Sequence, residues 1–381
     1  VEEGAVKILT LCYEYPPVGG GGGNMARNIA RGLAHRGHEV KVQTVRLRGL
    51  EKREMSEGVE VRRSFGFRRR AEFCTVPEMA GYLAGAFFPA WRLAASWRPD
   101  VIHAHFAVPS GALAWPIGLL TGTPYALTVH LGDLPGGNPD QTDHLFRALN
   151  PFIRPIWRGA GAVSASSRFA AGLAKVSYGI DPQIIHNGIS MAGRPSGARA
   201  PGDIMRFVAV GRFNPQKNFP WMIRALARCR FAWKLDLIGD GTQGEEIHAA
   251  VSETKTGDRV HLRGWLSEEK MRETLSLSDV LLMPSTSEGN PVSVIEALKQ
   301  GVAVVGSTTP GLSDLIEDGG NGYAVPIESP EPFLEKLRYL ADDRALLGAM
   351  KARSLELSAQ FDIDAIARKF EDFLGEVSRG R

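Results

Sequence analysis

Two hydrophobic periods alternate along most of this chain. Short runs rich in Val, Ile and Leu, of buried-strand length, fall at 6–12, 40–45, 99–106, 124–130, 161–167 and 184–189. The second half repeats the arrangement at 205–210, 235–241, 260–264, 280–283, 302–307 and 321–325. Between them, apolar residues recur every three or four positions, as at Met25, Ile29 and Leu33, and predict helices. Strand, glycine loop, helix beginning near Asn24, and strand is the opening of a doubly wound α/β domain. The stretch 191–204, dense in Gly, Pro and Ala, marks a linker. The expected fold is therefore α/β, with two Rossmann-like parallel-sheet domains at 1–190 and 205–360. An amphipathic helix follows at 361–381, where Ile366, Phe370 and Phe373 share one stripe.

Composition agrees with two globular domains. The chain has 381 residues, 44% hydrophobic and 23% charged. Cys12, Cys74 and Cys229 are scattered without CxxC spacing, which argues against a zinc site or disulfide framework and fits a reducing, cytoplasmic setting. The apolar stretch 79–97 is broken by Pro89 and Arg92 and falls short of a membrane span. No leader segment is visible. Net charge is +3, with 21 Lys+Arg against 15 Asp+Glu in residues 1–190. A basic first half suits an acidic acceptor or peripheral contact with an anionic membrane face. Its most charged run, 51–70, reads as a solvated hairpin or loop, or alternatively as a headgroup-facing patch. No nucleic-acid module accompanies it.

One stretch carries most of the chemistry. The strand Val280-Leu281-Leu282-Met283 leads into a polar turn and then a helix that stops at Gly301. Asn290 suits the N-cap and Pro291 the first helical position. Glu288 stands on the turn and Glu296 two turns into the helix, flanking backbone N–H groups at the positive end of a helix dipole. Phosphate fits such a terminus, and Glu296 reaches a hydroxyl-bearing group beyond it. Spacing alone leaves a loop carboxylate and a solvated helix residue as the plain alternative. Glu-Gly-x-Pro-x-x-x-x-Glu-Ala after Pro284-Ser285 resembles the glutamate-x7-glutamate motif of retaining glycosyltransferase family 4, which has the GT-B fold.

Other motifs occur in the order of that family. Pro16-Pro17-Val18-Gly19-Gly20 opens a glycine loop through Gly21, Gly22 and Gly23, and resembles the family's amino-terminal signature beside the donor phosphates and acceptor. A nicotinamide dehydrogenase is disfavoured, because the second strand ends Thr44-Val45-Arg46 without a ribose-binding acid. His103 and His105 alternate onto one strand face. His-x-His invites a metal, but no third ligand stands nearby; the resemblance implies instead that His105 lines the pocket. Thr128-Val129-His130 is similar to the family's Thr-x-His-Asp, where the histidine contacts the donor sugar. Here Leu131 and Gly132 intervene before Asp133, which leaves the role of Asp133 open. The loop 132–142 is a candidate lid or acceptor wall. Ile185-His186-Asn187-Gly188 resembles the family's Asn-Gly turn and brings in Asn187.

Gly211-Arg212-x-x-x-x-Lys217-Asn218 is the second strong match. Arg212 offers a planar fork and Lys217 a point charge, able to neutralise a diphosphate without Mg²⁺. Two solvated cations at a helix start are the plain alternative, which the helix dipole opposes. Gly239-Asp240-Gly241 matches the next turn. Trp265 and Leu266 match the segment that meets the nucleotide base, although Trp265 suits a core equally well.

The resemblance implies a GT-B protein with domains facing across a cleft and the last helix crossing back to the first domain. Donor nucleotide binds the second domain, acceptor the first. Glu288, His130, Arg212 and Lys217 serve the reaction; the backbone of Gly289, Asn290, Pro291 and Val292 meets the diphosphate and Glu296 the ribose. The implied activity is retaining, metal-independent hexosyl transfer from a nucleoside diphosphate sugar, with uridine before guanosine. The acceptor is a sugar, lipid-linked or small-molecule hydroxyl; no cofactor and no nucleic acid are implied. An epimerase or phosphorylase of the same fold, or a non-catalytic nucleotide-sugar binder, stays open.

Overall fold

A computed structural model of the chain describes residues 4–71, 74–137 and 150–380. The chain forms two compact units, Val1–Gly188 with Ile363–Arg381, and Ile189–Asp362. No described helix is long and apolar enough to cross a membrane.

The first unit is built on β1 (Lys7–Leu11), β2 (Glu39–Val45), β3 (Arg53–Ser56), β4 (Val59–Ser64), β5 (Val101–His105), β6 (Tyr125–Val129), β7 (Ala162–Ala165) and β8 (Gln183–Ile184). Their order is β3-β4-β2-β1-β5-β6-β7-β8, parallel except for β3. Every residue of β5 and β6 is buried, as expected of central strands covered on both faces by helices. Helices α1 (Gly21–His35) and α2 (Val76–Trp97) supply part of that cover.

The run 51–70 contains the expected hairpin, but it is not solvated throughout. Its first part is the β3–β4 hairpin, and β4 joins the sheet in parallel with β2, with Val59 and Val61 fully buried. The charges between them are tolerated because they are paired. Glu60 meets Lys41, Arg53 and Arg62, and Arg63 meets Glu54.

The last helix, Ile363–Arg379, belongs to the first unit. Ile366, Phe370, Phe373 and Leu374 enter its core, and Glu371 pairs with Arg36 and His38. The expected free linker at 191–204 is instead packed on the second unit. There Arg194 donates to the Leu355 carbonyl and Arg199 pairs with the buried Asp279.

The second unit holds β9 (Met205–Val210), β10 (Trp233–Ile238), β11 (Val260–Gly264), β12 (Val280–Met283), β13 (Ala303–Ser307) and β14 (Gly322–Val325). The order is β11-β10-β9-β12-β13-β14, all parallel. This is the dinucleotide-fold order, which reverses direction between β9 and β12; the first sheet reverses between β1 and β5. In open α/β sheets, ligands gather beyond the carboxyl ends of the strands at such a switch point.

Candidate active site

At the switch point of the second unit, the loops leaving β9 and β12 are tied together. Lys217 ends the short turn Pro215–Lys217, whose cap Asn214 accepts from the Lys217 N–H at 3.3 Å. Asn218 then turns the chain at φ +55° into the helix Phe219–Leu226. Lys217 Nζ lies 2.6 Å from Glu288 Oε1, with the side chains only 14% and 7% exposed. Beside this pair the Thr286 N–H donates to the Gln216 carbonyl at 2.9 Å, and the Gln216 amide donates to the Ser287 carbonyl. Gly311 closes the other side: a Cβ there would sit 1.6 Å from the Glu288 carbonyl oxygen, so only hydrogen fits.

These contacts revise the expectations for several residues. Lys217 and Glu288 are not solvated, and the anion beside Lys217 is the protein's own carboxylate. Arg212 is half-buried, and no described carboxylate pairs with it. The stem of Lys217 lies over Gly211. The helix Val292–Lys299 begins one residue later than expected, with Pro291 rather than Asn290 in the capping position. Asn290 is buried, while Gly289, Pro291 and Val292 are half-buried. The Glu296 side chain is 35% exposed, and burial, partly offset by Lys299 at 4.0 Å, holds its carboxyl above the ordinary carboxylate range. Gly241, at φ +156°, packs on the Phe213 backbone. Trp265 is 52% exposed, which rules out the core alternative, and Leu266 packs partly buried against the core.

The first unit has its own cluster at the β1/β5 switch point. Helix α1 begins at Gly21 with Gly20 at the cap, three residues earlier than expected, so Gly21 and Gly22 lie in its first turn rather than in the loop. The ring of Phe106 covers Gly22; a Cβ on Gly22 would lie 2.4 Å from Phe106 Cζ. Phe106 itself sits at φ +73°, a conformation costing a non-glycine residue about 1–3 kcal/mol, and its ring is 4.4 Å from that of His130. Strain of that size is retained where surrounding structure enforces it. Hydropathy gives no sign of it, and Phe106 was not among the expected site residues.

The charged run after β4 also serves this corner. Arg68, 6% exposed, bonds the Arg70 and Ala71 carbonyls and pairs with Glu14 at 3.5 Å. Glu14 accepts from the Gly20 N–H at 3.3 Å, and the Ala71 carbonyl accepts from Gly19 at 2.8 Å. The glycine loop is thus held by an arginine far along the chain.

His130 follows β6, and its N–H donates to Asp133 Oδ2 at 2.9 Å. Asp133 is 2% exposed; burial pushes its carboxyl up to about 7, against backbone N–H groups of His130, Val108 and Ala107 that favour the carboxylate. The two inserted residues therefore place Asp133 as a cap beneath His130. Burial lowers His130 to about 4 and His103 to about 3, so both rings are neutral near pH 7. The Nε2 atom of His130 is buried without a hydrogen-bond partner among the described residues.

His103 is satisfied by Thr128 Oγ1 at 2.7 Å. His105 corrects the pocket-wall expectation, because it is fully buried between the rings of His103 and His130 and touches no solvent. The face it shares with His103 is covered by neighbouring rings, including that of Phe370. Asn187 is 7% exposed, and its neighbour Gly188 accepts from Asn28 of α1 at 3.1 Å. Of the candidate lid, 138–142 lie outside the described residues. Among the described residues no group of three or more His, Cys, Asp or Glu is arranged to hold a metal ion.

Comparison with known proteins follows the division into units. A family described as "Glycosyl transferase 4-like domain" matches residues 20–188, and one described as "Glycosyl transferases group 1" matches residues 205–343. The 2-deoxystreptamine glucosyltransferase of Streptomyces kanamyceticus is 27% identical over 364 residues, covering 88% of this chain and 93% of that protein. Sucrose-phosphate synthase from Thermosynechococcus elongatus has the same fold, with a TM-score of 0.84 at 20% identity, covering 98% of this chain and 99% of that one. Anabaena HepE in complex with UDP-glucose gives 0.77 at 19% identity, covering 97% and 99%. The two family matches span most of the chain between them, and the chain belongs to the group 1, family-4-like glycosyltransferases of GT-B fold.

Proposed function

We propose that this glycosyltransferase moves a hexosyl group from a uridine diphosphate sugar to a hydroxyl acceptor, with retention at the anomeric carbon and without a metal ion. The observation that carries the reading is the Lys217–Glu288 pair at the second switch point, beside Arg212 and the start of the helix Val292–Lys299. As the sugar–oxygen bond breaks, negative charge grows on the departing diphosphate. Lys217, Arg212 and the backbone N–H groups at that helix start stabilise it, and fixed donors aimed at such charge typically contribute about 10²–10³ in rate each. Glu288 orients sugar hydroxyls and offsets positive charge at the anomeric carbon. Glu296 receives the ribose, and the exposed Trp265 flanks the base. In the first unit, His130 keeps a neutral ring whose Nε2 is buried without a partner among the described residues.

No side chain is assigned as a nucleophile. Retention is read as attack by the acceptor on the face the diphosphate leaves, the acceptor proton passing to the departing phosphate oxygen. Uridine is favoured because solved proteins of this fold are complexed with UDP and UDP-glucose.

The test is turnover with UDP-glucose and GDP-glucose against a panel of sugar and polyol acceptors in excess EDTA, with the product's anomeric coupling read by proton NMR. An α-linked product from UDP-glucose, formed at an unchanged rate in EDTA, is expected. An inverted product refutes retention, a GDP-glucose preference refutes the choice of base, and activity lost in EDTA and restored by Mg²⁺ refutes metal independence.

A further inference from the structure

The first unit contains a hollow of about 600 Å³ whose lining includes Arg46, Lys52, Arg53, Arg62, Arg63 and Phe65 and no carboxylate. Its volume falls in the range of small-molecule pockets. It opens where β2 and β4 end: Val45 pairs with Ser64 and Thr44 with Arg63 in adjacent parallel strands. That is the carboxyl edge of the sheet, the edge from which the glycine turn and His130 also emerge. Ligands of open α/β sheets lie along this edge.

The cations are unequally neutralised. Arg53 and Arg62 share Glu60 from behind, and Arg63 pairs with Glu54. Arg46 and Lys52 are exposed, and neither has a carboxylate partner among the described residues; the Arg46 guanidinium donates to the Leu50 carbonyl. At the base, the Arg63 side chain is 1% exposed, and its Nε is buried without a partner among the described residues. A buried guanidinium N–H left unpaired is costly. An oxyanion entering the hollow brings the negative charge that Arg46 and Lys52 lack and an acceptor for the Nε–H of Arg63. Phe65, 65% exposed, adds an apolar wall for the body that carries the anion.

We propose that this hollow holds the phosphate of a phosphorylated polyol acceptor, with Arg46 and Lys52 as its outer clamps and Arg63 at its base. The proposal rests on the sugar-transfer reading and narrows its acceptor to molecules bearing a phosphate monoester. Guanidinium forks match phosphate oxygens in pairs, and the attraction weakens as salt rises. The hollow is formed wholly by the first unit, so it binds without participation of Lys217 or Glu288.

Calorimetric titration in saturating UDP, which occupies the donor phosphate site, tests it directly. Glucose 6-phosphate and glycerol 3-phosphate should bind at least about tenfold more tightly than glucose and glycerol. The Arg46→Ala/Lys52→Ala variant should lose that preference and keep wild-type affinity for UDP. Phosphorylated and plain polyols binding alike, or a preference that survives in the variant, would overturn the proposal. Vesicles containing phosphatidic acid separate a membrane source of the same phosphate. Vesicle binding that depends on Arg46 and Lys52, with no binding of the soluble phosphates, also overturns it. Failure of the wild-type protein to bind UDP counts against the donor reading instead, and leaves the phosphate comparison readable.

Discussion

Lys217 Nζ stands 2.6 Å from Glu288 Oε1, joining two loops whose residues are 71 positions apart in the chain. The contact exists because β9 and β12 are neighbours although β10 and β11 lie between them in sequence. A crossover therefore places a cation and a carboxylate at one sheet edge, where neither alone would be stable in so little water. Each compensates the other's desolvation, and removing one partner leaves a buried charge unpaired.

The pair's stability role and reaction role separate by mutation. Lys217→Met should cost about 3–5 kcal/mol by stranding Glu288 and should lower turnover of UDP-glucose by about 10²–10³. Lys217→Met with Glu288→Gln should recover much of the stability without recovering turnover. Urea unfolding and steady-state rates measure the two. A double variant as active as wild type would remove the pair from the reaction.

Glu296→Ala should weaken UDP binding by about tenfold, roughly one lost charge-assisted hydrogen bond, with little change in melting temperature because the side chain is one-third exposed. Comparing UDP with 2′,3′-dideoxy-UDP isolates the ribose contact. The variant should bind both alike; an equal loss for both nucleotides would mean that Glu296 does not touch ribose hydroxyls.

Gly311→Ala should disturb the donor loop. Its Cβ would fall 1.6 Å from the Glu288 carbonyl oxygen, so backbone must move. Overpacking of this kind costs about 1–3 kcal/mol, and displacing Glu288 should lower turnover at least tenfold. Gly244→Ala, with nothing within 4 Å of the added carbon, is the matched control. Equal turnover in the two variants would show that the loop tolerates displacement.

Acid should destabilise the fold through its buried histidines. His130, His103 and His105 have folded pKa values below the ordinary His value near 6.5, so the unfolded chain binds more protons between about pH 4 and 6.5. Their contribution is complete above pH 6.5 and lost as pH falls. Asp133 acts oppositely: raised to about 7, it holds a proton in the fold that the unfolded chain releases, so its contribution is lost as pH rises from about 4 to 7. Three groups outweigh one, and the melting temperature should fall from pH 7 to pH 5. Asp133→Asn removes the opposing effect and should steepen that fall. A shallower slope in the variant would contradict the assignment.

Much of this was legible in the residues, and the exceptions share a cause. Strands β9 and β12 stand out as apolar runs closed by Gly211 and Pro284, and the Arg212–Lys217 and Glu288–Glu296 spacings point to the loops that the fold unites. Phe106 could not be foreseen, because neither its positive φ nor its packing on Gly22 leaves a local pattern in the sequence. Arg68 looked like solvated charge because its carboxylate partner, Glu14, lies more than fifty residues earlier and meets it only in the fold. The hairpin in 51–70 was legible and its burial was not: Val59 and Val61 alternate as a strand should, but Glu60 and Arg63 mask the buried face until their ion pairs form. His105 misled in the other direction, since strand alternation gives the face of a side chain and not whether another ring covers it.

Arg212, Lys217 and the start of the helix Val292–Lys299 form the proposed anion site. Titrating UDP and uridine into the wild-type protein and into the Arg212→Ala/Lys217→Ala variant, with calorimetric detection, measures what the diphosphate contributes there. UDP should bind at least about a hundredfold more tightly than uridine to the wild type, and the variant should lose nearly all of that difference while still binding uridine. A wild-type protein that binds the two alike, or a variant that keeps the preference for UDP, would contradict it.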